Sequence, residues 1–355
     1  MKKILVFDVA ASARGAMSVL KSFYNATLDT GNIEWVYILS DNYLPEAENI
    51  RVMSYPKVKT GWLKRLWFDY VEAPKIVRKE NPEVVLSLQN TNIPFIHKRR
   101  VTFLHQSIPF SDISFSIKTN RIEWVYQHII SRLIFRSLKN SDIVVVQTEW
   151  MKNAVIDRLH ISENKMLIVH PSVDVDNSVH YDDNEEALRR FFYPSAYANY
   201  KNHEVIFEAI RLLNKDGIRD FRVRLTIRRD EVVQSADISE IDEYIEWLGN
   251  IPFADVLKMY ADSVVLFPSQ LETFGLPLAE AGIIGSRIIV ADKPYSRELL
   301  KYYPNALFFM ADNPMELANH MKSTMNGEIA YVKDCRGAII ERYTGPNWNK
   351  LINIL

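Results

Sequence analysis

Glycine is scarce in this sequence, with only 11 residues in 355, which is about 3% against a usual share near 7%. Between Gly61 and Gly217 there is none at all. The motifs G-x-G-x-x-G and G-x-x-x-x-G-K-[ST] are both missing, which excludes a standard dinucleotide fingerprint and a P-loop. Any phosphate group that this protein binds must therefore be held by something other than a glycine-rich loop.

Cysteine and long apolar runs are scarce as well. The single cysteine, Cys335, excludes an internal disulfide and a cysteine metal cluster. No stretch approaches the roughly 18 apolar residues of a membrane-spanning helix. The apolar run Ile4–Phe7 ends at Asp8 and is too short for a signal peptide, so it predicts a first strand. These absences indicate a cytoplasmic protein.

The net charge of −1 conceals a basic first half. Of the 43 Lys and Arg, 23 lie in residues 1–170, against 16 of the 44 Asp and Glu, so this half carries +7 and the remainder −8. A basic half suits an anionic partner, such as a membrane surface, a lipid phosphate or a nucleic acid. Uneven surface solubility is the alternative. Because no recognisable nucleic-acid module accompanies the charge, we expect no nucleic-acid partner.

Short apolar runs alternate with amphipathic helical patterns along the whole chain. Strands are predicted at Ile4–Phe7, Trp35–Leu39, Val84–Leu88, Val101–Leu104, Ile143–Gln147, Leu167–Val169, Phe191–Tyr193, Val223–Ile227, Val264–Phe267, Ile288–Val290 and Leu307–Phe309. Helices are predicted at Ala16–Asn25, Lys64–Lys79, Ile122–Leu138, Met151–Leu159, Glu204–Leu213 and Met315–Met325. Such alternation is typical of parallel strands buried on both faces. We therefore predict an α/β fold with two doubly wound sheets in succession, divided near Pro171.

The most informative stretch is Pro268–Ala281, which follows the predicted strand Val264–Phe267. Gly275 permits a tight turn close to a ligand, and Pro277 suits the start of a helix because its φ is already fixed. A helix is therefore predicted just after Gly275. The free backbone N–H groups and the dipole at such a helix start can hold a diphosphate without a glycine-rich loop.

Two glutamates flank this predicted anion site. Glu272 lies in the loop before the helix and Glu280 in its first turns. Because a carboxylate repels phosphate, these side chains suit the hydroxyl donors of a sugar and a ribose on either side of it. One glutamate for each sugar, with a diphosphate between, describes a nucleotide sugar. For the two glutamates alone, a capped helix with two solvated acids is the alternative.

The whole stretch resembles the donor-site signature of retaining GT-B glycosyltransferases, specifically glycosyltransferase family 4. The resemblance covers most of the chain. It is carried by Pro268-Ser269, Glu272, Phe274-Gly275-Leu276-Pro277, Glu280-Ala281, Tyr200-Lys201-Asn202-His203, Gly249-Asn250-Ile251-Pro252 with Leu257 and Tyr260, Val144–Thr148 and Val169–Asp174. It implies a GT-B fold, in which two Rossmann-like domains face each other across a cleft.

The resemblance also divides the chain by task. Residues 1–170 would form an N-terminal acceptor-binding domain, and residues 171–340 a C-terminal domain that binds the nucleotide sugar. Residues 341–355 would form a C-terminal helix that packs back on the N-terminal domain.

Three residues are expected to be catalytic, namely Lys201, Glu272 and His105. In the family the lysine contacts the donor diphosphate, and Lys201 directly precedes an amphipathic helical pattern, so it can bring a point charge to a helix start. An exposed surface lysine is the alternative. The resemblance implies that Glu272 binds the donor sugar and that Glu280 binds the ribose. The other expected donor contacts are Thr273, Phe274, Gly275, Leu276, Asn202, Ser195, Arg228 and Gly15.

The sequence departs from the family pattern at two positions. Ser195 stands where many members carry an arginine, six residues before Lys201. A second cation would then come from elsewhere, and Arg228 or Arg229, after the predicted strand Val223–Ile227, could reach the cleft; ordinary surface arginines are the alternative. Arg287 replaces a common proline after Gly285, which we expect to alter only a turn.

In the first domain, polar residues follow predicted strand ends, where ligands of open α/β sheets bind. His105 matches the family's histidine near the donor sugar, although a structural histidine is the alternative. The loop Ser12–Ala16 resembles the family's glycine loop, with one glycine, Gly15, retained. The expected acceptor contacts are Arg14, Gln89, Asn90 and Gln106.

Other chemistries fit the sequence less well. Asp174-Val175-Asp176 is formally a D-x-D metal motif, but it follows a crossover proline, so we expect no metal and no cofactor besides the donor substrate. The histidines show no H-E-x-x-H spacing for zinc. A glycosidase would also use two carboxylates but would not need Lys201.

The segment Trp62–Phe68 allows two interpretations. Its basic and aromatic residues suit a membrane interface, and its apolar residues equally suit a helix that faces the core. The resemblance implies a metal-independent transferase that moves a hexose, with retention, from a nucleotide diphosphate sugar to a saccharide or lipid-linked saccharide acceptor. The expected setting is bacterial surface polysaccharide synthesis, such as O-antigen or capsule, with peripheral contact to the anionic inner face of the cell membrane. An epimerase or phosphorylase on the same fold, or a non-catalytic nucleotide-sugar-binding partner, is the alternative.

Overall fold

The computed structural model describes residues 1–11, 14–176, 178–232, 238–344 and 347–355. The chain forms two compact units, Met1–Ser172 with Pro346–Leu355, and Val173–Gly345. Each unit is built on one parallel sheet whose strands are connected mainly through helices. The predicted α/β fold with two successive sheets is therefore confirmed.

The sheet of the first unit has seven strands in the order β3-β2-β1-β4-β5-β6-β7. These are β1 (Lys2–Asp8), β2 (Ile33–Leu39), β3 (Ile50–Ser54), β4 (Val84–Ser87), β5 (Arg99–Phe103), β6 (Ile143–Val146) and β7 (Met166–Ile168). Strand β1 pairs with β2 on one side and β4 on the other. Its residues Ile4 to Phe7 are fully buried, which explains their unbroken apolar run.

Two helical runs of the first unit contain a π-helical turn. Its helices are α1 (Arg14–Thr27), α2 (Trp62–Trp67), α3 (Ala73–Glu80), α4 (Arg121–Val125), α5 (Ser131–Lys139) and α6 (Glu149–Leu159). The π turn Phe68–Glu72 joins α2 to α3, and the π turn Tyr126–Ile130 joins α4 to α5. The helices predicted at Lys64–Lys79 and Ile122–Leu138 are thus each one run with a wider turn inside it.

The sheet of the second unit has six strands in the order β10-β9-β8-β11-β12-β13. These are β8 (Arg190–Tyr193), β9 (Arg222–Leu225), β10 (Ile245–Trp247), β11 (Val264–Phe267), β12 (Ile288–Ala291) and β13 (Ala306–Phe309). Its helices are α7 (His203–Lys215), α8 (Phe253–Asp262), α9 (Leu276–Ile284), α10 (Pro294–Leu299), α11 (Pro314–Met325) and α12 (Gly337–Tyr343).

The last helix of the chain, α13 (Trp348–Ile352), packs in the core of the first unit. The ring of Trp348 lies 5.1 Å from that of Phe23 and 5.6 Å from that of Phe103. Its indole N–H donates to Ser22 at 2.8 Å. The final residues are therefore held to the first unit by aromatic packing and one hydrogen bond.

The sequence analysis did not predict β3 and β10, which lie at the outer edges of the two sheets. In these two edge strands polar residues interrupt the apolar run, which a half-solvated edge tolerates. Arg51 in β3 is exposed, and β10 has only three residues with Glu246 in the middle.

Helix α2 does not face the core. Trp62, Leu63 and Trp67 are 68%, 83% and 58% exposed, and no residue of α2 is buried. The buried aromatic residue is Phe68, in the π turn that follows. Of the two interpretations of this segment, the core-facing helix is therefore wrong. No helix in the described part of the chain is long and apolar enough to span a membrane.

Arg287 also has a larger part than expected. Its guanidinium donates to both carboxylate oxygens of Asp183, at 2.6 and 3.1 Å, and to the carbonyl of Ile329 at 2.9 Å. The residue is only 7% exposed. The expectation that it alters only a turn is wrong, because this arginine ties two distant segments to the start of β12.

Candidate functional site

Both sheets contain a point where the strand order reverses. In the second unit this point lies between β8 and β11, and in the first unit between β1 and β4. The loops that leave such neighbouring strands diverge and open a crevice at the carboxyl edge, where ligands of open α/β sheets bind. The loops after β8 and β11 are thus the natural place for a site in the second unit.

Lys201 and Glu272 meet at this crevice of the second unit. Lys201 ends the short 3₁₀ turn Asn199–Lys201 after β8, and Glu272 lies in the loop after β11. Lys201 Nζ lies 2.5 Å from Glu272 Oε1, and the side chains of Lys201 and Glu272 are only 20% and 15% exposed. The two expected catalytic residues of this unit therefore form a charge-assisted hydrogen bond.

Hydrogen bonds to main-chain carbonyls hold these two loops in place. The carbonyl of Tyr200 accepts the N–H of Gln270 at 2.7 Å, and the carbonyl of Lys201 accepts the hydroxyl of Tyr193 at 2.9 Å. The side-chain amide of Asn202 donates to the carbonyls of Pro268 and Ala311, at 3.3 and 2.7 Å. Asn202, an expected donor contact, thus uses its amide to position the turn that carries Lys201.

Helix α9 begins directly after Gly275, as predicted. Gly275 has a φ of +92°, in the left-handed region that glycine adopts without strain. Phe274 is buried and its ring packs 5.1 Å from that of Tyr343, which anchors the turn. Thr273 and Leu276 are half-buried on either side.

Glu280 lies in α9, where it accepts a hydrogen bond from the hydroxyl of Tyr260 at 3.0 Å. Burial raises the pKa of Glu280 to about 7, although the bond from Tyr260 acts in the opposite direction. Tyr260 is fully buried in α8. The sequence analysis gave Tyr260 no role of its own; its place in the motif after Gly249 was the available signal.

Arg228 and Arg229 form ion pairs with acidic residues of their own region of the second unit. Arg228 is 67% exposed and bonds to Asp230 at 3.1 Å, and Arg229 bonds to Asp242 at 3.0 Å. Within the described structure neither contacts Lys201 or Glu272. Ser195 is buried, and its hydroxyl donates to the carbonyl of Ala196 at 3.1 Å.

In the first unit, His105 follows the end of β5. Its Nε2 lies 2.8 Å from the carbonyl of Leu88, which can only accept, so this nitrogen carries a proton. Burial lowers the pKa of His105 to about 4, and the ring stacks on Phe103 at 4.4 Å. The imidazole is therefore neutral at physiological pH, and its Nδ1 is a hydrogen-bond acceptor.

The expected acceptor contacts lie near the same sheet edge. Gln89 Oε1 accepts the N–H of Val9 at 3.1 Å, and Asn90 Oδ1 accepts the N–H of His105 at 2.6 Å. Gln89 and Asn90 line a cavity of about 420 Å³. Gln106 bonds to the N–H of Ile108 at 3.1 Å. Arg14 and Gly15 lie in the first turn of α1, whereas Ser12 and the side chain of Arg14 fall outside the described part of the chain.

No metal cluster is found in the described part of the chain, where no group of three or more His, Cys, Asp and Glu is placed to hold an ion. Asp176, from the D-x-D sequence, is exposed and accepts the N–H of Ser178 at 2.8 Å.

Two family models match the chain. The Glycosyltransferase Family 4 model matches residues 32–177, and the Glycosyl transferases group 1 model matches residues 182–341. The chain is a GT-B glycosyltransferase of the family 4 type. The predicted family and the prediction of a transferase enzyme are therefore confirmed. This glycosyltransferase is also 20% identical to the O-antigen chain mannosyltransferase RfbU of Salmonella typhimurium, over 72% of this chain and 77% of the relative.

Solved structures agree with this GT-B assignment. Anabaena Alr3699/HepE in complex with UDP and glucose superposes with a TM-score of 0.72 at 16% identity, over 100% of this chain and 99% of that one. The lipopolysaccharide outer core galactosyltransferase WaaB, in its apo form, gives a TM-score of 0.69 at 15% identity, over 100% of both chains. At such identities the likeness shows the fold, and the predicted GT-B fold is confirmed.

Proposed function

We propose that this glycosyltransferase moves a hexose from a nucleotide diphosphate sugar to a lipid-linked saccharide, with retention, in the synthesis of a bacterial surface polysaccharide of the O-antigen or capsule type. The observation that carries the proposal is the Lys201–Glu272 pair, 2.5 Å apart between the loops after β8 and β11. The cation and the helix start beside this crevice suit the diphosphate of such a donor and the charge that develops on it. The carboxylate suits the hydroxyls of its sugar.

The pair explains how the site stays stable without a donor. A buried ammonium or carboxylate is costly unless it is paired, and here each group pairs with the other. An ammonium has three donor hydrogens, so Lys201 can hold Glu272 and a phosphate oxygen at the same time. Lys201 thereby stabilises the leaving diphosphate while it fixes the carboxylate that accepts the sugar hydroxyls.

Helix α9 supplies the second stabilising group. Its dipole favours an anion at its start, directly after Gly275, although Pro277 has no N–H and the N–H of Leu278 bonds to the carbonyl of Gly275. Together with Lys201 the dipole can balance the diphosphate charge without a metal. Glu280 then accepts the ribose hydroxyls through Oε1, because Oε2 is already bonded to Tyr260.

The transfer itself needs no nucleophile from the protein. The bond between the sugar anomeric carbon and the phosphate oxygen breaks, and the acceptor oxygen bonds to that carbon on the same face. The acceptor proton goes to the departing phosphate, so retention follows. The neutral ring of His105 can accept a hydrogen bond from a sugar hydroxyl through Nδ1.

Relatives support the proposed donor and setting. RfbU is named for transfer of mannose in an O-antigen chain, WaaB for transfer of galactose in the lipopolysaccharide outer core, and Alr3699/HepE was solved with UDP and glucose. All three names include a hexose, and those of RfbU and WaaB also name a surface polysaccharide.

Contact with an anionic membrane at the inner face is the second part of the proposal. The exposed Trp62, Leu63 and Trp67 of α2 lie beside Lys64 on a unit whose first 170 residues carry the basic excess. Aromatic and aliphatic side chains next to cations suit an anionic lipid surface.

A panel of nucleotide sugars tests the donor site. Purified enzyme should hydrolyse one donor slowly without acceptor, and Glu272→Gln should reduce this turnover on the order of a hundredfold or more. Nucleotide binding is measured in parallel by calorimetry. If no donor is turned over, and neither Glu272→Gln nor Lys201→Ala alters nucleotide binding, the assigned donor site is wrong.

A further inference from the structure

Three tyrosines of the second unit hold the two loops that carry Lys201 and Glu272. Tyr193 ends β8, Tyr200 directly precedes Lys201, and Tyr295 lies in the first turn of α10. Tyr193 and Tyr295 are buried, whereas Tyr200 is half-buried. The difference in burial goes with a difference in what each side chain contacts.

The two buried tyrosines fix the main chain of the loops. The hydroxyl of Tyr193 donates to the carbonyl of Lys201 at 2.9 Å, and the hydroxyl of Tyr295 donates to the carbonyl of Ser269 at 2.5 Å. Burial raises the pKa of both hydroxyls well above the usual range, so both stay protonated and keep donating. These two side chains thus set the main-chain position of each loop.

Tyr200 instead contacts the charge itself. Lys201 Nζ lies over the Tyr200 ring, 5.3 Å from its centroid, which is within the roughly 6 Å of a cation–π contact. The main chain of Tyr200 is anchored to the loop after β11, because its carbonyl accepts the N–H of Gln270 at 2.7 Å. The ammonium group of Lys201 is therefore held by an aromatic face as well as by the carboxylate of Glu272.

The aromatic contact does something that the carboxylate cannot do. A lysine side chain has a flexible four-carbon stem, and ordering it costs conformational entropy. Glu272 can hold the ammonium group, but it also neutralises the charge, and in the proposed reaction it turns to the sugar hydroxyls. The uncharged ring of Tyr200 attracts the ammonium group without neutralising it. The full positive charge then stays in place for a diphosphate.

The placement of Lys201 matters more because the second cation of the family pattern is missing from its position. Ser195 stands where many family members carry an arginine, and its hydroxyl donates to the carbonyl of Ala196. Arg228 and Arg229 form ion pairs with acidic residues of their own region. Lys201 therefore has to supply charge that an arginine at position 195 would share.

We propose that Tyr200 is a positioning residue of the transfer reaction, whose ring holds the ammonium group of Lys201 towards the leaving diphosphate of the donor. The aromatic face carries this role, and the hydroxyl does not. The inference rests on the proposed function in one respect, namely that Lys201 stabilises a leaving diphosphate. Negative charge grows on that group as its bond to the sugar breaks, so the ring should affect kcat more than the donor KM.

Steady-state kinetics of donor turnover with two variants at this position tests the inference. Tyr200→Leu removes the aromatic face, and kcat should fall about tenfold while the donor KM changes by less than about threefold. Tyr200→Phe keeps the face, and its kcat should stay within about twofold of that of the unmodified enzyme. Tyr302→Leu is the matched control. Lys301 Nζ lies 5.1 Å from the Tyr302 ring centroid, so this variant removes the same kind of neighbouring pair at an exposed position and should leave kcat and KM unchanged.

A double variant separates positioning from a general loss of structure. In a Lys201→Ala background the ring has no ammonium group to hold, so adding Tyr200→Leu should change kcat by less than about twofold. A tenfold further loss in that background would show that Tyr200 acts on the fold rather than on Lys201, and would overturn the inference.

Binding of inorganic pyrophosphate, measured by calorimetry, tests the ring without any donor turnover. Tyr200→Leu should weaken this binding about tenfold and Tyr200→Phe should not. If Tyr200→Phe is as slow as Tyr200→Leu, the hydroxyl is the active part and the inference is wrong. It is also wrong if Tyr200→Leu raises the donor KM at unchanged kcat, because the ring then binds the donor itself.

The two assays distinguish this inference from the proposed function. If donors are turned over equally well by Tyr200→Leu and the unmodified enzyme, the inference fails and the proposed function stands. If pyrophosphate binding depends on the ring but no donor is turned over, the position of Lys201 is set by Tyr200 as inferred and the proposed function fails.

Discussion

The ammonium group of Lys201 lies 2.5 Å from a carboxylate oxygen of Glu272, a residue 71 positions further along the chain. The two side chains meet because β8 and β11 are neighbours in the sheet, and because the loops after them are joined through the carbonyl of Tyr200. Each charge thereby neutralises the other in a half-buried crevice.

Lys201→Ala should lower kcat/KM for the donor by about 10²–10³-fold, the usual effect of removing one charge-stabilising group. The reason is twofold, since the leaving diphosphate loses a cation and Glu272 loses its partner. Steady-state kinetics with the donor measures this loss. The control is Lys215→Ala, at the exposed end of the helix that follows Lys201. If kcat/KM falls less than about threefold, Lys201 does not stabilise the leaving diphosphate.

Tyr260→Phe should weaken donor binding and shift its pH dependence. Burial raises the pKa of Glu280 to about 7, and the hydrogen bond from Tyr260 lowers it. Because the carboxylate form accepts ribose hydroxyls, the donor KM should fall as the pH rises through about 7. Without the tyrosine hydroxyl the pKa of Glu280 rises further, so the midpoint moves to higher pH. KM measured between pH 5.5 and 9 in both proteins shows this.

Tyr303→Phe is the matched control for that experiment. Its hydroxyl is also buried and donates to the carbonyl of Ser286 at 2.6 Å, but it bonds to neither Glu272 nor Glu280. It should lose stability without any change in the pH profile of KM. If KM depends on pH identically in Tyr260→Phe and the unmodified enzyme, Glu280 does not bind the ribose.

Gly275→Ala should reduce both stability and donor turnover. The nearest side-chain atom to an added Cβ is Leu278 Cδ1 at 3.5 Å, so there is room, and the penalty comes from the φ of +92°. The left-handed conformation costs an alanine about 1–2 kcal/mol. Relief of that strain moves the start of α9, so kcat/KM should fall together with the thermal midpoint.

Gly327→Ala separates strain from function. Gly327 has a φ of +67° and nothing within 4 Å of an added Cβ, and it directly follows Asn326 at the end of α11. It should lose similar stability and keep full kcat/KM. Equal losses of activity in the two variants would contradict a special role for the start of α9.

Replacement of Trp62 and Trp67 by serine should abolish binding to anionic vesicles. These side chains are 68% and 58% exposed, so the double substitution should leave the thermal midpoint nearly unchanged. Co-sedimentation with vesicles at low and high salt measures the interaction, which should weaken as salt rises. Tyr302→Ser, an exposed aromatic residue of the second unit, is the control. If vesicle binding changes neither with salt concentration nor with the two tryptophan substitutions, α2 is not the membrane-binding surface.

Several features were readable from the sequence because they depend on neighbouring residues. Ile4–Phe7 and Val264–Phe267 are buried strands in the middle of their sheets, so burial forces an unbroken apolar run. The start of α9 follows from the fixed φ of Pro277 and the freedom of Gly275. Strand β10 was missed because Glu246 interrupts its short apolar run, which a strand at a sheet edge tolerates.

The sequence by itself thus determined the fold, the family and the segment that carries the donor signature. Tertiary structure alone decided which distant side chains meet: Lys201 with Glu272, and Tyr260 with Glu280. It also decided that α2 faces solvent rather than the core. The physical reason is that helix starts and burial patterns depend on local φ angles and periodicity, whereas these contacts depend on which strands become neighbours in the sheet.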